Sequence, residues 1–300
     1  MSDALSCRLD FLRSTQNPDG GWGFFPGKQS WLEPTAYALM ALHSDAASQA
    51  NFVRGWNLMR SWQLPDGSWQ PCAAVRKPHW TTALCLSLHC LRGVHDDAVR
   101  RGVAWLLDTS GIENRLKYRM AHFISPSIVE LDPSFKAWPW LPGCSSWIEP
   151  TAHALVALKK VSQALPELAL PEAPVRDRIG MGEKMILERR CSDGGWNYGN
   201  RKVLGTDLPS YPETTALALL GLSQGRINKS SRNPALDLSA PLALALRQWR
   251  ATRSPLARAW LAVSLRSHDF PMPPHSPRPF ASPDTMLAAL ELIAANGALA

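Results

Sequence analysis

Two kinds of segment alternate along the chain. One is rich in Ala and Leu and has hardly any polar face, as in Ala38, Leu39, Ala41 and Leu42, or Ala216 through Leu220. A helix that is apolar nearly all round belongs in an interior. The other kind is amphipathic, as Phe52-Val53-Arg54-Gly55-Trp56-Asn57-Leu58-Met59 illustrates. The alternation predicts outer helices near 3–15, 51–63, 97–108, 176–190 and 237–250. Inner helices are predicted near 32–43, 80–92, 147–160, 212–224, 255–267 and 283–295. Strand signals are nearly absent. One buried and one half-exposed helix per repeat implies two concentric layers, and six inner helices suffice to close a ring. The expected fold is all-α, a single α/α toroid of helical hairpins over residues 1–300. The Pro-rich stretch from Phe270 to Pro283 is expected to replace an outer helix with an extended linker. Residues 109–146 are too many for a simple connection and are expected to fold over one end of the ring.

An internal repeat supports this layout. Asn17-Pro18-Asp19-Gly20-Gly21-Trp22 recurs as Leu64-Pro65-Asp66-Gly67-Ser68-Trp69 and as Cys191-Ser192-Asp193-Gly194-Gly195-Trp196. The Asp-Gly pair ends one helix and reverses the chain. The Trp, preceded by Gln16 or Gln63 in two copies, plugs the gap between neighbouring hairpins. After each turn and a short loop comes an inner helix, opening with Trp31-Leu32-Glu33-Pro34-Thr35-Ala36, Trp80-Thr81-Thr82-Ala83 or Tyr211-Pro212-Glu213-Thr214-Thr215-Ala216. A further start, Trp147-Ile148-Glu149-Pro150-Thr151-Ala152, lacks a clear Asp-Gly-x-Trp upstream. Glu and Pro in a first turn suit a helix N-terminus, where unpaired N–H groups and the dipole favour a carboxylate.

Composition narrows the function. Thirteen Trp against four Tyr, with 25 Pro and 19 Gly, exceed what an ordinary helical protein carries, and the repeat turns absorb part of that excess. Six scattered Cys without a CxxC read as reduced thiols of a cytoplasmic protein. No run approaches the roughly 18 apolar residues of a membrane span, and the N-terminus lacks the layout of a secretion signal. The formal charge of +7 comes from scattered bases, which argues against a nucleic-acid groove. It suits an anionic small molecule or an anionic membrane surface equally.

A helix ending in Gln, a turn of Asp-Gly-x-Trp and an inner helix opening near Glu-Pro-Thr-Ala resemble the QW-type repeat of squalene and oxidosqualene cyclases. Protein prenyltransferase β subunits share that α/α toroid. The resemblance covers residues 8–225 in motif and the remainder in helix pattern. It implies an isoprenoid-handling enzyme, cyclase-like (an isomerase or lyase) or transferase-like, with a polyprenyl chain in an apolar channel and an isoprenoid or prenyl diphosphate as ligand. Cyclases of this kind carry an Asp-x-Asp-Asp acid motif and normally two toroids; here a lone Glu149 or Glu213 replaces the middle Asp, and one toroid is expected. Prenyltransferases hold zinc through Asp, Cys and His; here Thr stands where the His belongs, and no cofactor or metal is expected. Cys85 and His89, four apart, are read as packed side chains. Function does not follow from fold, so a non-catalytic toroid that binds a lipid or a partner chain stays open. So do peripheral membrane contact and, as a third reading, a carbohydrate enzyme with paired inward carboxylates.

The candidate chemistry sits at the inner-helix N-termini. Glu149 and His153 are four apart, as are Glu33 and Tyr37, so each pair shares a helix face. Glu149, His153, Glu213 and Glu33 are the candidate catalytic groups, with His153 holding the proton of Glu149. Tyr37, Trp31, Trp80, Trp138, Trp140, Trp147 and Tyr211 are candidates to line an aromatic mouth that binds apolar molecules or stabilises cations. Lys28, Arg76, Lys77, Arg201 and Lys202, on loops leading into inner helices, are candidates to receive an anionic head group.

Overall fold

The computed structural model describes residues 3–124, 132–223, 237–273 and 282–299. Among them the chain forms helices α1 (Asp3–Ser14), α2 (Leu32–Leu42), α3 (Gln49–Ser61), α4 (Thr82–Leu91), α5 (Asp97–Asp108) and α6 (Leu116–Ile124). These are followed by α7 (Ile148–Val161), α8 (Leu165–Leu168), α9 (Glu172–Glu188), α10 (Pro212–Leu222), α11 (Ser239–Ala251), α12 (Pro255–Ser267) and α13 (Thr285–Asn296). A two-stranded hairpin, β1 (Lys202–Val203) with β2 (Thr206–Asp207), precedes α10.

The inner helices pack in the circular order α2, α4, α7, α10, α12, α13 and back to α2. Around them α3 lies on α2, α5 on α4, α9 on α7, and α11 on both α10 and α12. The fold is the all-α toroid the sequence predicts. Its seam has a division of labour the sequence did not reveal: α1, the first outer helix, packs against α13, the last inner one. Residues 270–273 and 282–284 are not helical, and the middle of that expected linker lies outside the described residues. Several starts shift by two to four residues: α4 begins at Thr82 after a turn from His79, α11 at Ser239 and α13 at Thr285 behind the Asp284 cap, while α3 at Gln49 and α9 at Glu172 begin ahead of expectation.

One unit, repeated four times, sews the layers together. The indole N–H of Trp22, Trp69 and Trp196 donates to the carbonyl of Leu12, Met59 and Ile186 in the preceding outer helix, at 2.6–3.0 Å. The backbone N–H of each donates to a threonine of the following inner helix, Thr35, Thr82 or Thr215. Trp138 repeats both bonds, to Leu106 and to Thr151, so it is a fourth repeat tryptophan. Three of the four rings also press on a glycine of the next outer helix: Trp22 on Gly55, Trp69 on Gly102, Trp138 on Gly182. Each indole is fully or almost fully buried; removing its roughly 150–250 Å² from water is worth about 4–6 kcal/mol before entropy is counted. Gln16 and Gln63 support their turns by donating to Gly20 and Gly67 and to the next outer helix.

The long insertion ties to the end of the ring where inner helices begin. Trp80 N–H donates to Trp140, Gly111 to Ala137 and Ile112 to Cys144. Buried Glu113 accepts from the backbone and hydroxyl of Ser146, and the Arg189 guanidinium donates to the same serine. Within the insertion α6 was not expected; it falls outside the repeat. Among the described residues no helix is long and apolar enough to cross a membrane.

Candidate functional site

The repeat unit sets the height of the candidate acids. The residue before each inner helix is extended, with φ and ψ of −122° and 148° at Trp31, −130° and 160° at Trp147, and −121° and 148° at Tyr211. Its N–H donates back to the repeat tryptophan, Trp31 to Trp22, Trp147 to Trp138 and Tyr211 to Trp196. Glu33, Glu149 and Glu213, each two residues later, therefore stand at one level of the ring. Aligning the threonines that bond the repeat tryptophans puts Trp80, two residues ahead of α4, at that level, where no glutamate is present.

These three glutamates line one cavity of about 330 Å³ at the N-terminal end of the inner helices. Asp284 adds a fourth carboxylate, and its oxygen also caps α13 through Leu287. The remaining wall is Phe24, Phe25, Tyr198, Trp260, Leu217, Leu256 and Met286. Glu33 and Glu149 are half-buried by surface area because they face the cavity, yet protein encloses them closely. Burial pushes Glu33 up to about 7. It pushes Glu149 up to about 8, with the nearby Glu33 carboxylate adding to the rise. The helix dipole would favour the ionised form; desolvation outweighs it here. Near pH 7 Glu149 therefore carries its proton. Glu213 accepts a long bond, 3.4 Å, from the Ser254 hydroxyl at the start of α12.

One helical turn deeper lies an aromatic floor. Tyr37 and His153 are fully buried, and the tyrosine hydroxyl meets His153 Nε2 at 3.0 Å. Trp80 lies tilted at 5.1 Å from the His153 ring, Trp140 stands edge-on to Trp80 at 5.2 Å, and Trp260 lies 5.6 Å from Tyr37. Burial pushes His153 down to about 3, so it is neutral. Burial, then the Glu33 and Glu149 charges, hold the Tyr37 phenol well above its ordinary value. The expectation that His153 holds the Glu149 proton is corrected: its hydrogen bond runs across the ring to Tyr37, because side chains pointing into a toroid meet partners on other helices.

The other expected residues divide. Trp80 and Trp140 join the floor. Trp31 packs 6.2 Å from Phe24, and Tyr211 lies 5.5 Å from Tyr198, so both stand behind cavity residues. Trp147 is exposed on the rim and near Gly199. Trp138 is corrected: as a repeat tryptophan beneath Arg178, 4.0 Å away, it is sealed from the cavity. Lys28, Arg76, Lys77 and Arg201, on loops, and Lys202, in β1, are exposed and do not line the cavity. Arg201 faces Glu188 at 3.6 Å and Lys202 faces Asp207 at 3.2 Å. Phe24, Tyr198, Trp260 and Asp284 were missed, since they lie outside the Glu-Pro-Thr motif. Cys85 is buried, and His89 bonds the Cys85 carbonyl at 2.7 Å while packing 4.6 Å from Trp56. Among the described residues no group of three or more His, Cys, Asp or Glu is placed to hold a metal ion.

No protein-family model matches the chain. Over 210 residues, 68% of its length, it is 29% identical to squalene–hopene cyclase of Alicyclobacillus acidocaldarius, covering 30% of that protein. Over 60 residues, 20% of its length, it is 40% identical to drimenyl diphosphate synthase of Streptantibioticus cattleyicolor, covering 11% of that protein. The chain thus spans less than a third of the curated relatives it matches. Among solved structures it resembles the type II terpene cyclase MstE from Scytonema, with TM-score 0.52 and 18% identity over 99% of this chain and 80% of that one. It also resembles an endo-β-1,4-glucanase from Acetobacter xylinum, with TM-score 0.57 and 13% identity over 98% and 97% of the two chains.

Proposed function

We propose a function that rests on the resemblance to the terpenoid cyclase superfamily, which the Asp-Gly-x-Trp turns and Glu-Pro-Thr-Ala starts first carried and the comparisons bear out. We propose that this chain, folded as one toroid, is a proton-initiated isoprenoid cyclase with Glu149 as its acid. The observation that carries the proposal is a carboxyl kept protonated near neutral pH and facing an aromatic and aliphatic cavity. A neutral carboxyl in such a wall is a proton donor whose conjugate base is poorly solvated, the tuning that general acids use. Glu149 transfers its proton to one alkene carbon of the bound chain, leaving a tertiary cation. Neighbouring double bonds close on that cation, and the last cation returns a proton to a carboxylate, so no atom is gained or lost. The faces of Trp260, Tyr198 and Phe24 stabilise the travelling charge. A cavity of about 330 Å³ lies at the lower end of the usual ligand range, about 300–1,000 Å³. That favours a short polyprenyl chain over squalene. One ring is no obstacle, since the chain matches most of the length of the MstE cyclase.

Incubation in detergent with geranyl, farnesyl and geranylgeranyl diphosphates and squalene tests this. Wild type should give a cyclised product with one of the shorter chains, and Glu149→Gln should lose at least about a hundredfold in rate. Absence of turnover by wild type across all four overturns it. The carbohydrate reading has one specific support, four carboxylates in one cavity of a fold that glycosidases share. The apolar wall and the neutral Glu149 weigh against it, and hydrolysis of a β-glucan would be its signature.

A further inference from the structure

Four carboxyls line the cavity, and among the described residues no lysine, arginine or histidine joins them there. A proton given up by a ligand inside this wall finds no side-chain base other than a carboxylate. The four are not equally free to take it. One Asp284 oxygen accepts the Leu287 N–H that caps α13, and Glu213 accepts the Ser254 hydroxyl. Among the described residues Glu33 and Glu149 accept no hydrogen bond, and both face the cavity. A carboxylate in an apolar wall, with no donor to share its charge, is the stronger base. We propose that Glu33 is the base that ends the reaction and then returns the proton to Glu149, so that the two side chains form one proton cycle. The assignment rests on the cyclase reading above, whose last step hands the proton to a carboxylate not yet named.

The placement of the pair supports this role. Glu33 stands in the first turn of α2 and Glu149 in the first turn of α7, at one level and on either side of α4 in the ring. Trp80 holds the corresponding place ahead of α4, so no carboxyl comes between them there. The Glu33 charge adds to the rise at Glu149, and both charges bear on the Tyr37 phenol one turn deeper. The other titratable groups around the pair are Glu213 on α10, Asp284 ahead of α13, Tyr198 on the loop before α10, and neutral His153 beneath. Glu149, at about 8, holds its proton more tightly than Glu33, at about 7. Near neutral pH the wall therefore presents an acid and a base together, and a proton on Glu33 moves toward an ionised Glu149.

The atoms balance. The C–H bond beside the final cationic carbon breaks, its electron pair becomes the new double bond, and the proton goes to a Glu33 oxygen. That proton then crosses the cavity to the Glu149 carboxylate, which restores both groups. Each turnover is an isomerisation that needs no co-reactant.

The test compares the first turnover with later ones by rapid quench, using whichever of geranyl, farnesyl and geranylgeranyl diphosphates and squalene wild type cyclises. Glu33→Gln should keep the first turnover within about threefold, because Glu149 starts protonated, and should lose at least about a hundredfold in later turnovers. Its product should shift from alkene toward alcohol, as water captures the cation that no base relieves. Glu33→Asp should recover part of both losses, and Glu149→Gln should lack the first turnover as well. Later turnovers of Glu33→Gln as fast as its first, with the alkene unchanged, overturn the role of Glu33. A first turnover lost as fully as in Glu149→Gln also overturns it, since Glu33 would then act in the opening protonation. A second readout needs no ligand: the infrared band of the protonated carboxyls, followed against pH. Glu33→Gln should lower the pH at which Glu149 ionises, and an unmoved titration overturns the pairing. Wild type that cyclises none of the four chains sinks the cyclase reading, and the base role with it. Product from wild type with an unaltered Glu33→Gln sinks the base role alone.

Discussion

At the residue scale the telling group is Glu149, a carboxyl whose proton is held by burial. Its folded value, about 8, lies above the ordinary carboxylate value of 4.5. The folded state therefore binds more protons than the unfolded one between those limits, and stability falls as pH rises through that window. Replacing the group by a neutral isostere removes that loss. Glu149→Gln should match wild type near pH 4 and be more stable at pH 8.5, by roughly 2 kcal/mol or more, in urea denaturation at the two pH values. A glutamate present only to complement the helix dipole would give the opposite sign at high pH. The sequence located Glu33, Glu149 and Glu213 because each sits beside a Pro or Thr in a repeated helix start. It mispaired His153 because spacing along one helix sees only neighbours on that helix, whereas Tyr37 lies 116 residues away in sequence.

At the element scale the determinant is the close approach between a repeat tryptophan and the next outer helix. Helix α9 carries its own control. A Cβ on Gly182 would stand 2.8 Å from Trp138 Cζ3 and 2.9 Å from Leu155 Cδ2, while a Cβ on Gly180 would meet nothing within 4 Å. Gly182→Ala should destabilise by roughly 1–3 kcal/mol through overpacking. Gly180→Ala should stabilise by up to about 1 kcal/mol through helix propensity. Thermal melts of the pair check this, and equal shifts would show that the tryptophan contact does not constrain the helix spacing. Helix positions were legible in the sequence because inner helices are apolar throughout and outer ones amphipathic. The role of Trp138 was not, since Pro133-Ser134-Phe135-Lys136-Ala137 replaces the Asp-Gly turn that flags the other copies. Nor was α6, which has no counterpart in another repeat to be recognised by.

At the scale of the whole molecule, the ring closes by joining the two ends of the described chain. Helix α13 completes the inner circle against α2, and α1 covers α13 from outside. Across that seam Arg8, almost fully buried, donates to the Glu291 carboxylate. A buried guanidinium that loses its partner keeps its desolvation penalty, so breaking this pair from one side should be far worse than removing both charges. Glu291→Ala should lower stability by roughly 3 kcal/mol and raise hydrogen exchange in α1 and α13 ahead of the other helices. Arg8→Met combined with Glu291→Leu should recover most of that loss, because apolar side chains of similar length can fill the seam. Should Glu291→Ala melt like wild type with α1 still protected, closure rests on apolar packing between α13, α2 and α12 instead. In either case the seam matters to the cavity, because Asp284 and Met286 reach its wall from the start of α13. A ring that opens there loses that side of the site first.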